Sequence, residues 1–475
     1  MAKILQNGME EGNSMFVGRK KELAKLRQLY DGDQFQCVIL YGRRRIGKTT
    51  LIREFIKGRK AVYFAGMETT EQNNLESFSR SIFEISMEGE AMPSFRSFED
   101  AFAYAAQLAK AERLILVIDE FPYLANTVKG ISSVLQKFID LHFLQTRLFL
   151  ILCGSSMSFM ENQVLGYQSP LYGRRTAQFR IEPFDFFEAR LFHPSLSISD
   201  AALIYGLTGG VPQYLVKINE SKSMKENIID NFLTPDSYLF EEPSNLLKQE
   251  LREPQLYNAI ISAIAAGSSR LNEIATRTGL STSAAVQYLN SLMSLGIVKK
   301  EFPVTEQQSR KTIYRIADNM FRFWYRFVPK NYSRIQNGLA DKVYASMEAE
   351  LSDYMGAVFE NICIQYMWRL YSKGNVPFDI ENVGRWWGNN PGKRSEQEID
   401  ILAIGSNKAV FGECKWRNEP MDTGDYAALK EKTEMFPYNE KYYYLFSKSG
   451  FTKELRRQTA GDVELRLIGL EEIGG

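Results

Sequence analysis

The chain is poor in the residues that build metal centres. Among its 475 residues are four cysteines, Cys37, Cys153, Cys363 and Cys414, and two histidines, His142 and His193. No two cysteines have the short spacing of a zinc site, which argues against a structural zinc. Cys37 and Cys153 sit inside apolar runs and read as buried core thiols, a usage that fits a reducing cytoplasm. No run of about 18 apolar residues occurs, so no transmembrane helix is expected. Met1 to Ser14 holds no apolar stretch of signal-peptide length. The expectation is a soluble, cytoplasmic protein without a membrane partner. An excess of one charge is also missing: 58 Lys and Arg face 57 Asp and Glu, net +1. The whole molecule is therefore no electrostatic magnet for nucleic acid, although a basic patch acts locally over about a Debye length, ~10 Å. Internal repeats, low-complexity tracts and coiled-coil heptads are absent too.

Apolar residues are plentiful, at 44% with 13% aromatic. The length exceeds what one core of roughly 250–300 residues supports, so several domains are expected. Cys37 to Tyr41, Leu114 to Ile118 and Leu148 to Cys153 are apolar without alternation. Such runs predict strands covered on both faces, hence a parallel sheet between helices. Ala61 to Phe64 reads as a further strand, and strand and helix alternate to about residue 190.

The segment Gly42-Arg43-Arg44-Arg45-Ile46-Gly47-Lys48-Thr49 follows a strand, opens a helix and matches G-x-x-x-x-G-K-[ST] in full. The glycines let backbone N–H groups close around phosphates, and the helix N-terminus favours an anion. Lys48 neutralises the β- and γ-phosphates, and the Thr49 hydroxyl is a magnesium ligand. The Arg43, Arg44 and Arg45 side chains are expected to face solvent or a partner, their backbone making the phosphate contacts. Asp119 ends an apolar run, where the second magnesium-side carboxylate stands, and Glu120 is placed to polarise water. Ser155 or Ser156, ending the next strand, is either a γ-phosphate sensor or a serine satisfied in a turn. Arg174 and Arg175 are either a guanidinium for the transferring phosphate or a solvated pair.

Phe16-Val17-Gly18-Arg19 with Glu22-Leu23, the loop Gly42 to Thr50, Asp119-Glu120-Phe121-Pro122-Tyr123-Leu124 and Gly209-Gly210-Val211-Pro212-Gln213-Tyr214-Leu215 together resemble the archaeal-type ATPases of the AAA+-like STAND class. The resemblance covers essentially the whole chain. It implies ATP as the nucleotide, Gly18 and Arg19 beside the adenine, Pro212 in a lid over the nucleotide, and Arg174 or Arg175 at the γ-phosphate. It also implies a nucleotide-driven switch rather than a fast motor.

Residues from about Tyr257 to Ile316 have a winged helix-turn-helix pattern. Its second helix exposes Ser283, Gln287 and Asn290 but no lysine or arginine, while Lys299, Lys300, Arg310 and Lys311 sit on the wing. Two readings stand: a DNA-binding module, or one that transmits lid motion or docks another domain. Further on, Asp400 opens a strand, a turn at Ser406-Asn407 follows, and Glu413-x-Lys415 lies on the next strand. Residues two apart in a strand share a face, so Glu413 and Lys415 project together. With Glu360 on a helix, this set resembles the PD-(D/E)XK nuclease signature. The resemblance implies Asp400 and Glu413 as magnesium ligands and Lys415 as the group that activates water or steadies the transition state. A non-catalytic recognition platform of the same fold is the alternative. Trp386-Trp387 is either core or a stacking surface for bases.

The expected architecture is α/β. A P-loop NTPase parallel sheet (1–199) is followed by a helical lid (200–253), a winged helix (254–319) and a nuclease-like α/β domain (320–475). The expected cofactors are ATP and Mg2+. The expected partners are DNA, through the last two domains, and a second copy or another protein.

Overall fold

The computed structural model describes residues 16–85, 93–306, 311–390 and 395–475. The chain divides into two compact units, Met1–Pro183 and Phe184–Gly475.

The first unit is built on strands β1 (Gln36–Tyr41), β2 (Ala61–Ala65), β3 (Leu114–Asp119), β4 (Leu148–Gly154) and β5 (Ala177–Arg180). Their order is β2-β3-β4-β1-β5, with every pairing parallel. Every residue of β1, β3 and β4 is buried, as their unbroken apolar runs predict. β5 alternates half-buried and exposed residues at the sheet edge, so it lacks the apolar run that announces the others. Helix α1 (Lys20–Asp31) leads into the sheet, and α2 (Lys48–Ile56) follows the phosphate loop. Leu51, Ile52 and Phe55 of α2 join Val38, Leu40, Phe149 and Ile151 in one core. The loop is thereby clamped between a central strand and a helix packed on it.

The second unit begins with short helices, among them Ile198–Thr208, and continues into the helix-turn-helix. Helices α3 (Leu271–Thr278) and α4 (Thr282–Ser294) meet at Gly279, whose φ of 68° makes the expected turn. Strands β6 (Val298–Glu301) and β7 (Ile313–Ile316) form the antiparallel wing. Lys299, Lys300 and Lys311 lie on or beside it, whereas Arg310 lies outside the described residues. A 33-residue helix, α5 (Ala340–Ser372), runs into β8 (Asn382–Asn390), β9 (Ser395–Gly405) and β10 (Lys408–Lys415). Helix α6 (Thr423–Thr433) then leads to β11 (Glu440–Ser447) and β12 (Leu465–Gly469). β9 is antiparallel to both of its neighbours, β8 and β10, while β10, β11 and β12 run parallel. Helix Ile198–Thr208, expected within a separate lid, packs inside this unit. Tyr354 of α5 donates to the Gly206 carbonyl at 2.5 Å, and a Cβ on Gly206 would meet Met355 Sδ at 2.9 Å.

Candidate functional site

The phosphate loop leaves β1 at Gly42. A Cβ there would lie 2.3 Å from the Ile181 carbonyl and 2.4 Å from Ile46 Cδ1, so no larger residue fits. Arg45 (φ 74°) and Gly47 (φ 85°) take left-handed conformations, and Gly47 caps α2. Alternating handedness of this kind turns successive N–H groups inward into an anion nest. The Lys48 ammonium lies across the loop and donates to the carbonyls of Gly42 at 2.8 Å and Arg43 at 3.0 Å. Ile46 is fully buried, and Thr50, the third residue of α2, is exposed.

The arginines correct one expectation. Arg43 is only 5% exposed, and Arg44 Nη2 donates to the Tyr123 hydroxyl at 2.5 Å. Arg45 is half-buried. Arg43 and Arg44 are thus folded against their own domain rather than standing in a solvent-facing row.

β4 lies between β1 and β3, which puts Ser155 between the phosphate loop and Asp119. Asp119 is 4% exposed and accepts three hydrogen bonds. Thr49 Oγ1 donates to Oδ2 at 3.1 Å, the Glu120 N–H to Oδ1 at 2.9 Å, and the Tyr63 hydroxyl to Oδ2. Burial and the Asp119 charge hold the Tyr63 phenol well above its usual range, so it stays a donor. Glu120 itself has φ 47° and accepts from Ser155 Oγ at 2.9 Å. The turn that aims it depends on Gly154, where a Cβ would stand 2.8 Å from Pro122 Cδ. Thr49, Asp119, Glu120 and Ser155 thus converge as expected, and Ser155 is the member of its pair that reaches the site. Tyr63 was missed because a tyrosine in a strand carries no motif.

The remaining residues of the expected set lie further off. Gly18 and Arg19 are left-handed (φ 69° and 54°) and start α1. Arg19 is buried and donates to the carbonyls of Ile46, at 3.1 Å, and Glu182, tying the phosphate loop to the chain that follows β5. Arg174 holds Asp140 through two bonds of 2.8 and 2.7 Å, while Arg175 is exposed. Pro212 opens the short helix Pro212–Leu215 of the second unit.

In that second unit β9 and β10 bring Asp400 and Glu413 together, and α5 adds Glu360. Asp400 Oδ2 accepts from the Cys414 N–H at 2.9 Å. Glu413, 7% exposed, receives Lys415 Nζ at 2.6 Å and Lys432 Nζ at 3.0 Å. Glu360 pairs with Arg385 at 3.1 Å, and Arg385 also reaches Glu398. Burial, then the neighbouring Glu413 charge, push the Asp400 carboxyl up to about 6. Burial and Asp400 push Glu360 up to about 7. Burial acts on Glu413 in the same direction, but Lys415 and Lys432 outweigh it and hold the carboxyl below its ordinary value. Lys432 and Arg385 were not anticipated, since each enters from an element whose packing no local pattern reveals. Among the described residues, no group of three or more His, Cys, Asp or Glu side chains stands close enough to hold a metal ion.

Residues 16–218 match the model of an ATPase domain predominantly from Archaea. Residues 259–301 match an IclR helix-turn-helix domain, and 324–432 match a family of archaeal and bacterial proteins of unknown function. An uncharacterized protein of Methanocaldococcus jannaschii is 33% identical over 448 residues, covering 93% of this chain and 97% of that one. The chain belongs to that protein's family. An uncharacterized ATP-binding protein of Pyrococcus abyssi is 25% identical over 245 residues, covering 43% of this chain and 72% of that one. Among solved structures, a Walker-type ATPase of Pyrococcus abyssi aligns with a TM-score of 0.50 at 20% identity, over 66% of this chain and 96% of that one. That likeness is one of fold. This family member thus carries a P-loop ATPase domain and a helix-turn-helix, as their motifs led one to expect, and a C-terminal sheet domain. Among the described residues, no helix is long and apolar enough to cross a membrane.

Proposed function

We propose that the protein is an ATP-hydrolysing switch of the STAND type whose output is magnesium-dependent cleavage of DNA by the C-terminal domain. The four parts anticipated from the sequence, 1–199, 200–253, 254–319 and 320–475, are its working divisions. The phosphate nest, Lys48 and the neighbouring Thr49 and Asp119 oxygens fit Mg2+-ATP. Magnesium there would neutralise phosphate charge. Glu120 orients and deprotonates water, and Ser155 keeps the glutamate aimed until a γ-phosphate competes for that hydroxyl. Gly18, Arg19 and Pro212 serve the base and the lid, and one of Arg174 and Arg175 meets the transferring phosphate.

The cleavage reading rests on one observation: Asp400, Glu413 and Lys415 meet on adjacent strands with Glu360 beside them. The element order α5-β8-β9-β10-α6-β11, a helix, a three-stranded meander, a helix and a strand, supports it by bringing the helix carboxylate beside those of the strands. Two carboxylates that repel each other, Glu413 buried and Asp400 half-buried, fit a divalent cation, which would supply a Lewis acid for the scissile phosphate. Asp400 and Glu413 would hold it. Lys415 orients the attacking water and stabilises charge building on the phosphate. The alternative is a nucleotide-controlled regulator or scaffold that only recognises DNA or a protein. Glu413 pinned between two lysines, with no three-ligand cluster among the described residues, favours it.

A cleavage assay decides between them. Purified protein is incubated with plasmid and linear DNA and Mg2+ or Mn2+, with and without ATP, beside an Asp400→Ala, Glu413→Ala double variant. Cutting that needs ATP and is lost in the variant is expected. Intact DNA under every condition, with ATP still bound, establishes the regulator instead.

A further inference from the structure

Between the wing and the C-terminal sheet lies a cavity of about 340 Å³. Arg270, Lys311 and Arg315 form one wall, and Arg385, Trp387 and Asn389 of β8 the other. The period of two along a strand puts Trp387 and Asn389 on one face, and Arg385, at a register shift between Gly384 and Trp386, lines the same cavity. Trp386 between them turns to the opposite face, where it is 8% exposed and packs on Phe436 at 4.8 Å. The tryptophan pair is therefore split: one ring is core and the other is wall. The Trp387 indole N–H donates to the Lys311 carbonyl at 3.1 Å, which fixes the ring against the wing.

Four cations and two carboxylates, Glu396 and Glu398, line the cavity, and each cation has an acidic partner, Arg385 pairing with Glu301, Glu360 and Glu398. Arg270 meets Glu396 at 3.9 Å, Lys311 meets Glu306 at 3.1 Å and Arg315 meets Glu301 at 3.8 Å. The Arg270–Glu396 and Lys311–Glu306 pairs face solvent, and pairs of this kind are weak and exchange readily for a phosphate, whereas Glu301 is largely buried. An aromatic wall beside clustered cations is the chemistry that holds nucleotides of unpaired strands. The volume is that of a small-ligand pocket, a size for a single nucleotide. The α4 face, by contrast, exposes Ser283, Gln287 and Asn290 and no cation.

We infer that this cavity binds one nucleotide unit of single-stranded nucleic acid, its base against Trp387 and its phosphate among Arg270, Lys311 and Arg315. The inference rests on the nucleic-acid reading of the C-terminal half but not on its cleavage chemistry. Arg385, in the same wall, also pairs with Glu360, so an occupied cavity adjoins the carboxylate site. A free nucleotide offers the same chemistry, and the experiment separates the two sources.

Full-length protein is titrated into a fluorescein-labelled oligothymidylate of 12 nucleotides in EDTA without ATP, and anisotropy is read. Under these conditions a failed nuclease assignment leaves the result untouched. Trp387→Leu is expected to weaken binding about tenfold and Trp387→Phe to restore most of it. Arg270→Glu with Lys311→Glu is expected to weaken it by about thirtyfold or more and to flatten the salt dependence by about two phosphate contacts. Lys453→Glu, exposed and outside the cavity, leaves affinity unchanged. Thymidine monophosphate that competes only at millimolar concentration upholds the strand. Tight binding of the monophosphate, with the same sensitivity to the variants, upholds the nucleotide chemistry and moves its source to a free nucleotide. Strand affinity equal in wild type and both cavity variants, each melting as wild type does, overturns the inference, as does no binding of either ligand.

Discussion

Asp119 and Glu413 are both buried carboxylates near the C-terminal ends of sheet strands, yet their surroundings are opposite. Asp119 is held by neutral donors: the hydroxyls of Thr49 and Tyr63 and one backbone N–H. Its charge stays available to an incoming cation. Glu413 is held by two ammonium groups, so its charge is balanced from within the fold. Neutral donors fix a carboxylate's geometry without neutralising it, whereas lysines do both. The first site is poised to gain a cation. The second has to exchange a lysine for one, or to work without it.

The predictions test that contrast. The largest effect is expected for Glu120→Gln: phosphate release should fall by about 10²–10⁴-fold, as for loss of a general base, while ATP still binds. Turnover near wild type would remove Glu120 from the chemistry. Next, Lys48→Ala should weaken ATP binding by about 2–4 kcal/mol, roughly 30- to 1,000-fold by calorimetry, and leave the C-terminal site unchanged.

Effects on stability are smaller. Asp400 titrates in the folded chain near 6, above its unfolded value. The folded state therefore binds more protons, and this contribution is full below the unfolded carboxylate range and is lost as pH rises through about 6. In metal-free buffer Asp400→Asn should flatten denaturant-derived stability between pH 4 and 7 and gain about 1–2 kcal/mol at pH 8. Added Mg2+ should then favour wild type over the variant; equal responses would weaken the case for a metal there. Glu413→Gln should cost about 1–2 kcal/mol at neutral pH, since two half-exposed lysines lose their shared partner. Tyr63→Phe is the mildest, at about 1 kcal/mol, because Asp119 keeps its other donors. A larger loss of Mg2+-ATP affinity than of stability would show that Tyr63 positions the carboxylate for the metal.

The two sites differ as much in how far the sequence reveals them. The phosphate site is continuous in sequence: Gly42 to Thr49 is one turn and one helix start, and Asp119-Glu120 ends a run whose burial is complete. Local sterics and strand patterning are enough to find it. Asp400, Glu413 and Lys415 were visible because a strand and a turn place them at fixed offsets. Their partners Lys432 and Arg385 were not, since α6 and β8 reach the site only through packing. The burial of Arg43 and the bond from Arg44 to Tyr123 are hidden in the sequence for the same reason. A run of arginines looks solvent-exposed until the domain that folds around it is known.

What the sequence by itself determined is therefore the backbone logic: where phosphate-binding amides gather, which strands are covered on both faces, and where the helix-turn-helix bends at Gly279. These follow from residue-scale conformational preference and hydrophobic periodicity. Only the tertiary structure decided which charges meet. It gave Asp119 to two hydroxyls, Glu413 to two lysines and Glu360 to Arg385, and it sent Trp386 inward and Trp387 to a cavity wall. Charge pairing is set by distances of a few ångströms between segments far apart in the chain, and no local pattern encodes those distances.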